Sequence, residues 1–329
     1  MRKLQIAAVG DPAEVVSLVE FDSLTPGPGQ VLVEMEAATI NASDFLYVSG
    51  RYFLTPQPRS DVGAEGVGRV RAVGAGVDDS FIGTRVVLLP TYRYGTWATH
   101  VVAWVGDVVV APDDVEVLQL AMVGINPMTA LRLLRDFGSP SSPQRWIGQT
   151  AGNSAVGEYL VKLSKHFGYR TVSVVRREAG AEQVRSWGGD RALVDGDDLR
   201  GRLAAALDGQ TFDLAVDSIG GRASTELAHR LRFGGSLVTY ACLSGQPPTV
   251  ELGDLIGNHA HLTGFWLVNW LQRAEPAVVQ AAYREVVDLV ADGTLSARID
   301  CTLGLDEFEK AFALARSDGR EGKILFTFD

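Results

Sequence analysis

The chain has 329 residues, enough for two domains or one large domain with an insertion. Apolar residues make up 46% and charged residues 21%, so a full core is available and the composition argues against wholesale disorder. A formal net charge of -10 argues against nucleic acid or an anionic membrane as partner.

MRKLQIAAVG opens with two basic residues and a short apolar run, and acidic residues and proline follow at once. The pattern predicts a first strand and not a signal peptide. No stretch reaches the length of a bilayer span. QVLVEMEAATI alternates, with Val31, Val33 and Met35 facing one way and Leu32, Glu34 and Glu36 the other. GVGRVRAVGAGV, TRVVLLP and ATHVVAWVGDVVVAP supply further short strands punctuated by glycine. The first part, to about residue 115, therefore reads as a β-rich domain, a partly open barrel.

The texture changes near residue 113. DDVEVLQLAMVGI has helical spacing, with Leu118, Met122 and Ile125 on one face. Asn126-Pro127 is expected to break it before a second helix, MTALRLLRDF. From residue 145 strand and helix alternate. RWIGQT reads as a strand. AVGEYLVKLSKHFG reads as a helix with Val156, Leu160, Leu163 and Phe167 on one stripe, stopped by Gly168. YRTVSVV, RALVD, DLAVDSIG, GSLVTYAC and HLTGFWLV read as strands. This alternation predicts a doubly wound parallel sheet. A long helix at PAVVQAAYREVVDLVADG, another around DEFEKAFALARS and a last strand at KILFTF complete the chain. No repeat or low-complexity linker interrupts it.

WIGQTAGNSAVGEYLVKL reads as a phosphate loop between strand and helix. Gly152 supplies the turn and Gly157 the close helix–strand contact, while Ser154 takes the middle position and has a hydroxyl to offer a phosphate. Alone, the motif also fits a plain strand–loop–helix junction with a glycine hinge; the surrounding βαβ pattern favours a dinucleotide. Where NAD sites carry an acid at the end of the second strand, this chain has Arg176 and Arg177, followed by Glu178. Guanidinium groups suit a 2′-phosphate, so NADPH is expected over NADH. The other reading of this stretch is an exposed basic strand end balanced by Glu178. Cys242 and Cys301 are the only cysteines, read as buried small apolar side chains in a reducing, cytoplasmic setting.

INASDFLYVSGRY, GAEGVGRVRAVG, GTWATHVV, GINPMTALRLL, NSAVG, VDSIGGRASTEL, GGSLVTYACLSGQP, GFWLVNW and GKILF stand in this order from about residue 40 to the end. By these motifs the chain resembles the zinc-free medium-chain dehydrogenase/reductases, and more narrowly the mitochondrial-type trans-2-enoyl-CoA (2-enoyl thioester) reductases. The resemblance implies an α/β fold: a GroES-like β-rich catalytic domain from residues 1–116 and 292–329, and a Rossmann NADPH-binding domain of doubly wound parallel sheet over residues 117–291. It implies NADPH-dependent reduction of the C=C of a trans-2-enoyl thioester, carried on CoA or on acyl carrier protein. The tyrosine of the G-x-Y segment carries over to Tyr52, as the acid that protonates the α-carbon. The cofactor residues carry over to Asn126, Gly152, Asn153, Ser154, Ala155, Val156, Gly157, Arg176, Arg177, Glu178, Tyr240, Ala241, Cys242, Leu243, Phe265, Trp266, Leu267 and Lys323. Asn41, Ser43 and Trp266 would orient substrate or nicotinamide. The family's basic patch reads R-D-R where this chain has Arg176-Arg177-Glu178, and the turn at Tyr240–Leu243 is bulkier than the family's.

Zinc-dependent relatives hold their metal with a cysteine near the position of Asn41, a histidine at that of Ala64 and the neighbouring glutamate. Thiolate and imidazole are both missing here, and one carboxylate cannot supply the three protein ligands of a catalytic zinc, so no metal is expected. The five histidines, His100, His166, His229, His259 and His261, have no ligand spacing. A homodimer paired through the apolar run FWLVNWL is expected. The rival readings are a quinone or enone oxidoreductase of the same superfamily and a non-catalytic NADPH-binding protein.

Overall fold

The computed structural model describes residues 1–138, 145–317 and 319–328. Fifteen strands are described: β1 (Arg2–Ile6), β2 (Val16–Glu20), β3 (Gln30–Thr39), β4 (Gly66–Val73), β5 (Arg85–Leu88), β6 (His100–Trp104), β7 (Val108–Ala111), β8 (Trp146–Gln149), β9 (Arg170–Val175), β10 (Arg191–Val194), β11 (Phe212–Asp217), β12 (Leu231–Thr239), β13 (His261–Gly264), β14 (Ile299–Leu303) and β15 (Lys323–Thr327). The chain divides into two compact units, Met1–Met128 with Val268–Asp329, and Thr129–Leu267.

The first unit is built on a seven-stranded sheet in the order β14-β15-β3-β4-β5-β7, with β6 also paired to β3. The alternation read in β3 is what lets it serve as the spine: Val31, Val33 and Met35 are buried, while Glu34 and Glu36 face outward to Arg71 and Arg85. Register shifts after Leu32 and Met35 let the strand bend between its partners. The C-terminal strand β15 returns to this unit and pairs antiparallel with β3, Leu325 opposite Thr39. Around that pairing lies a core of Trp97, Phe312 and Phe326. The Trp97 indole is buried, and its N–H donates to the Thr39 carbonyl at 3.0 Å.

The helix Pro276–Ala291 lies in this first unit. The reason is visible in its polar groups. Gln280 donates to the carbonyls of Gly106 and Val108, and the Tyr283 hydroxyl donates to that of Gly124 at 2.7 Å.

The second unit holds a six-stranded sheet in the order β10-β9-β8-β11-β12-β13, parallel throughout. This is the doubly wound sheet expected from the strand–helix alternation. Its chain order reverses between β8 and β11, and in such sheets a ligand crevice opens at the strands' carboxyl ends there. The helix Ala155–His166 buries Val156, Leu160 and Leu163, and the chain leaves it through Gly168 at φ 75°.

Three local expectations are corrected. The helix Val117–Leu120 is short, and Pro127 lies in the first turn of the helix Asn126–Phe137 and does not break it. The first turn is where a missing N–H costs nothing. The sixth strand stops at Gly264, and Leu267–Arg273 is a helix, so Phe265 and Trp266 follow the strand and are not part of it. Cys242 is exposed and not buried.

Candidate active site

The phosphate loop of the second unit folds for reasons its own residues supply. Left-handed backbone falls on Ala151, at φ 47°, and not on Gly152. Gly152 is needed for a different reason: a Cβ there would stand 2.4 Å from the Ser173 Cβ on β9. Gly157 is needed because its Cβ would lie 2.4 Å from the Gly152 carbonyl oxygen. The two glycines thus fold the loop back onto the helix start. Ser154 is the N-cap, its hydroxyl oxygen accepting from the Gly157 N–H at 3.1 Å. The Ser154 N–H is taken by the Ala151 carbonyl at 2.8 Å. Of the first turn's unpaired donors, those of Ala155 and Val156 remain at the positive end of the helix.

The reversal between β8 and β11 is pinned by two residues that sequence reading did not single out. Thr150 donates to Asp217 Oδ1 at 2.7 Å and accepts from the Ser218 N–H at 2.9 Å. Asp217 also receives the N–H groups of Ile219 and Gly220. Burial pushes this carboxyl up and the Thr150 bond opposes it. The Ser218 hydroxyl is buried there with no hydrogen-bond partner among the described residues. Tyr240 lies near Ser218 and Ser154, its phenol pushed up by burial.

Arg176 and Arg177 are exposed at the end of β9, Arg177 serving as cap residue of the helix Glu178–Ser186. Glu178 does not balance them alone, since its carboxylate accepts from Arg185 at 2.8 Å. Asn153 is turned to Gln183 at 3.2 Å. Ala241, Cys242 and Leu243 form the turn after β12, where Cys242 donates to the Gln246 carbonyl. Phe265 is half-buried and packs edge-on against Phe137; Trp266 is half-buried, and Leu267 is buried at the start of the next helix. A loop that excludes two Cβ atoms, two free helix N–H groups, an unsatisfied buried hydroxyl and a basic strand end together fit a phosphorylated dinucleotide.

The first unit holds a buried polar cluster. Asn41 precedes the helix Ala42–Val48, and its backbone N–H donates to Asp44 Oδ2 at 2.7 Å. Its side-chain Nδ2 donates to Glu65 Oε1 at 2.7 Å, and its Oδ1 accepts from Asn126 at 3.0 Å and from the Lys323 ammonium. The Ile125 N–H completes Glu65 at 2.7 Å. Glu65 is wholly buried, and Gly124 must be glycine because a Cβ would stand 2.7 Å from that of Glu65. Burial pulls Lys323 down to about 8, against the charge of Glu65. It pushes Asp44 up to about 7 and raises Glu65 as well.

The structure therefore brings Asn41, expected to orient substrate or nicotinamide, together with Asn126 and Lys323, both expected to hold the cofactor. The donor set does not fit zinc, because an ammonium and two amides surround the one glutamate and no thiolate or imidazole is near. His229 gathers with Glu251 and Asp254 elsewhere, where Asp254 pairs with His229 and Glu251 with Arg200.

Tyr52 follows the helix Ala42–Val48 in an irregular segment, half-buried. Its ring centroid is 5.8 Å from that of Phe53 and 5.6 Å from that of Tyr92. Ser43 stands near the Tyr92 hydroxyl. Tyr92 holds φ 59°, a left-handed backbone that costs a bulky residue roughly 1–3 kcal/mol.

Comparison with known proteins fits these two halves. Residues 155–292 match a zinc-binding dehydrogenase family, and residues 27–113 match the alcohol dehydrogenase GroES-like domain. The chain is 33% identical over 302 residues to the bovine (Bos taurus) mitochondrial enoyl-acyl-carrier-protein reductase, covering 90% of this chain and 80% of the relative. A candidate NADPH:quinone reductase structure from Bacillus thuringiensis superposes with a TM-score of 0.92 at 27% identity, over 100% of this chain and 99% of that one. A mitochondrial 2-enoyl thioester reductase heterodimer from Candida tropicalis shares the fold, with a TM-score of 0.87 at 22% identity over 99% of each chain. The expectation of a cytoplasmic setting is overturned by relatives that are mitochondrial in cattle, human, Dictyostelium discoideum and Arabidopsis thaliana alike. Cys242 and Cys301 are both outside any disulfide and do not distinguish one compartment from another.

Proposed function

The chain belongs to the medium-chain dehydrogenase/reductases and, within them, to the mitochondrial-type enoyl thioester reductases, and from that premise we propose that it reduces the C=C bond of a trans-2-enoyl thioester with NADPH. The observation that carries the chemistry is the donor set around Asn41. An ammonium and two amides around Glu65 suit a substrate that brings its own activating group, and the carbonyl of a thioester conjugated to the double bond is such a group.

In this reading Ser154 and the N–H groups of Ala155 and Val156 would hold the pyrophosphate, and Arg176 and Arg177 would take the 2′-phosphate. Held there, NADPH would supply the hydride that the β-carbon takes up, leaving negative charge to be shared by the α-carbon and the thioester oxygen. Tyr52 donates its phenolic proton to the α-carbon. A phenol, with a reference pKa of about 10, still holds that proton at neutral pH. Asn41 has its amide oxygen doubly engaged, so it acts by fixing Asn126 and Lys323. Carriers of either kind, CoA or acyl carrier protein, present the same thioester.

The experiment is NADPH oxidation over crotonyl to hexadecenoyl thioesters, with quinones as the comparison. Thioester turnover that falls at least a hundredfold in Tyr52→Phe, with NADPH affinity kept, supports the reading. Turnover of quinones alone moves the protein to the second reading, which the Bacillus structure favours.

The molecule is further proposed to be a homodimer paired through β13. That strand ends the parallel sheet, all four of its residues are exposed, and Leu252, Ile256 and Leu262 are exposed apolar side chains on or near it. A monomeric mass in solution removes this part.

A further inference from the structure

Tyr52 has a second phenol against it. The Tyr92 ring lies 5.6 Å from that of Tyr52 and 5.0 Å from that of Tyr47, so it is held on two sides. Two features of Tyr92 have no packing explanation. Its backbone is left-handed, which a bulky residue adopts only where its surroundings hold it there. Its hydroxyl is buried beside Tyr52 and Ser43 without a well-formed hydrogen bond to either. Phenylalanine would fill the same space without stranding a polar group. Asp44, one residue from Ser43, likewise keeps Oδ1 buried and without a hydrogen-bond partner among the described residues. Two buried, unsatisfied oxygens thus stand on the Tyr52 side of the cluster, a pattern found where a bond forms only during reaction.

We propose that Tyr92 is a positioning residue whose O–H turns to the Tyr52 oxygen as that phenol gives up its proton. The proposal rests on Tyr52 being the acid. In the step, the Tyr52 O–H bond breaks and a C–H bond forms at the α-carbon. The charge left on the Tyr52 oxygen is held by a hydrogen bond from Tyr92, which keeps its own proton. A proton from solvent then re-forms the Tyr52 hydroxyl. Tyr92 suits the part because burial and the neighbouring Tyr52 and Asp44 push its own ionisation far above neutral pH, so it remains a donor.

The test uses the full-length protein with crotonyl-CoA and NADPH, comparing wild type, Tyr92→Phe and Tyr92→His. Phenylalanine keeps the ring and removes only the hydroxyl; histidine returns a donor. Tyr92→Phe is expected to lower kcat about tenfold, the worth of one hydrogen bond to a charged oxygen, and to raise the solvent deuterium isotope effect on kcat. KM for NADPH is expected to stay within about twofold, and Tyr92→His to recover part of the rate. Unchanged kcat and isotope effect in Tyr92→Phe overturn the proposal, as does a Tyr92→His enzyme no faster than a slowed Tyr92→Phe. A wild type that does not reduce crotonyl-CoA overturns the enoyl reading and this proposal with it; one that does, beside an unaffected Tyr92→Phe, overturns this proposal alone.

Discussion

Lys323 donates to the side-chain oxygen of Asn41 across 282 residues of sequence, so a buried cation rests on an amide while two carboxylates, Glu65 and Asp44, balance it from nearby. Among the described residues, the ammonium is the positive charge that opposes the burial of both Glu65 and Asp44. Lys323→Met keeps the stem and removes that charge. It is expected to lower unfolding free energy by about 3 kcal/mol, the cost of leaving buried charge without its counterpart. Glu65→Gln in the same background should recover part of the loss. Denaturant titration of the two single variants and the double variant measures this, and equal stability of wild type and Lys323→Met would count against the charge balance.

Asp44 gives the fold a pH dependence of definite sign. Burial raises its carboxyl from the model-peptide value of 3.8 to about 7, so the folded chain keeps a proton there that the unfolded chain releases first. Its contribution to stability is complete below about pH 4 and is lost as pH rises towards about 7. Lys323, lowered to about 8, acts in a separate window: its contribution is present above about pH 10.5 and is lost as pH falls through about 8. Asp44→Asn removes the first contribution only. Between about pH 4 and pH 7 the variant should therefore gain stability relative to wild type, as read from denaturation midpoints at stepped pH. Parallel curves would show that Asp44 does not titrate differently on folding.

In the proposed reading, the basic end of β9 selects the cofactor. Arg176→Ala with Arg177→Ala should raise KM for NADPH tenfold or more and leave KM for NADH nearly unchanged, because only the former carries the 2′-phosphate. Steady-state kinetics with both cofactors decides it. An equal loss for both would assign the arginines to shape and not to phosphate.

What could be read from the chain and what could not divide along physical lines. Strand and helix periods are local, so the succession of strands from β8 to β13 along the chain, and the strand that leads into Arg176, are legible from spacing alone. The Gly152 and Gly157 positions are legible too, but their cause is not: the clash that excludes a Cβ at Gly152 comes from Ser173, on another strand. The same holds for the buried cluster. Asn41, Asn126 and Lys323 can each be picked out, yet their meeting depends on β15 pairing back onto β3. Thr150 and Asp217 join strands that are neighbours only because the sheet reverses between them. Tyr92 carries no motif in the sequence, and its place is set by the rings of Tyr47 and Tyr52 from elsewhere in the chain. FWLVNWL misled because an apolar run with no turn signal suits a strand or a buried helix start equally.

The loop glycines separate binding from folding. Gly157→Ala places a methyl carbon 2.4 Å from the Gly152 carbonyl oxygen, backbone that cannot swing aside as a side chain would. The loop must open, and the N–H groups of Ala155 and Val156 lose their alignment. Ser154→Ala leaves the glycines in place and removes only the cap, worth about 1 kcal/mol. Gly157→Ala should therefore weaken NADPH binding at least tenfold in a fluorescence titration, more than Ser154→Ala does. Both should retain the far-ultraviolet dichroism of wild type, since the buried stripe of Val156, Leu160 and Leu163 is untouched. If Ser154→Ala were the more damaging of the two, the serine hydroxyl and not the tight backbone turn would be the main phosphate ligand.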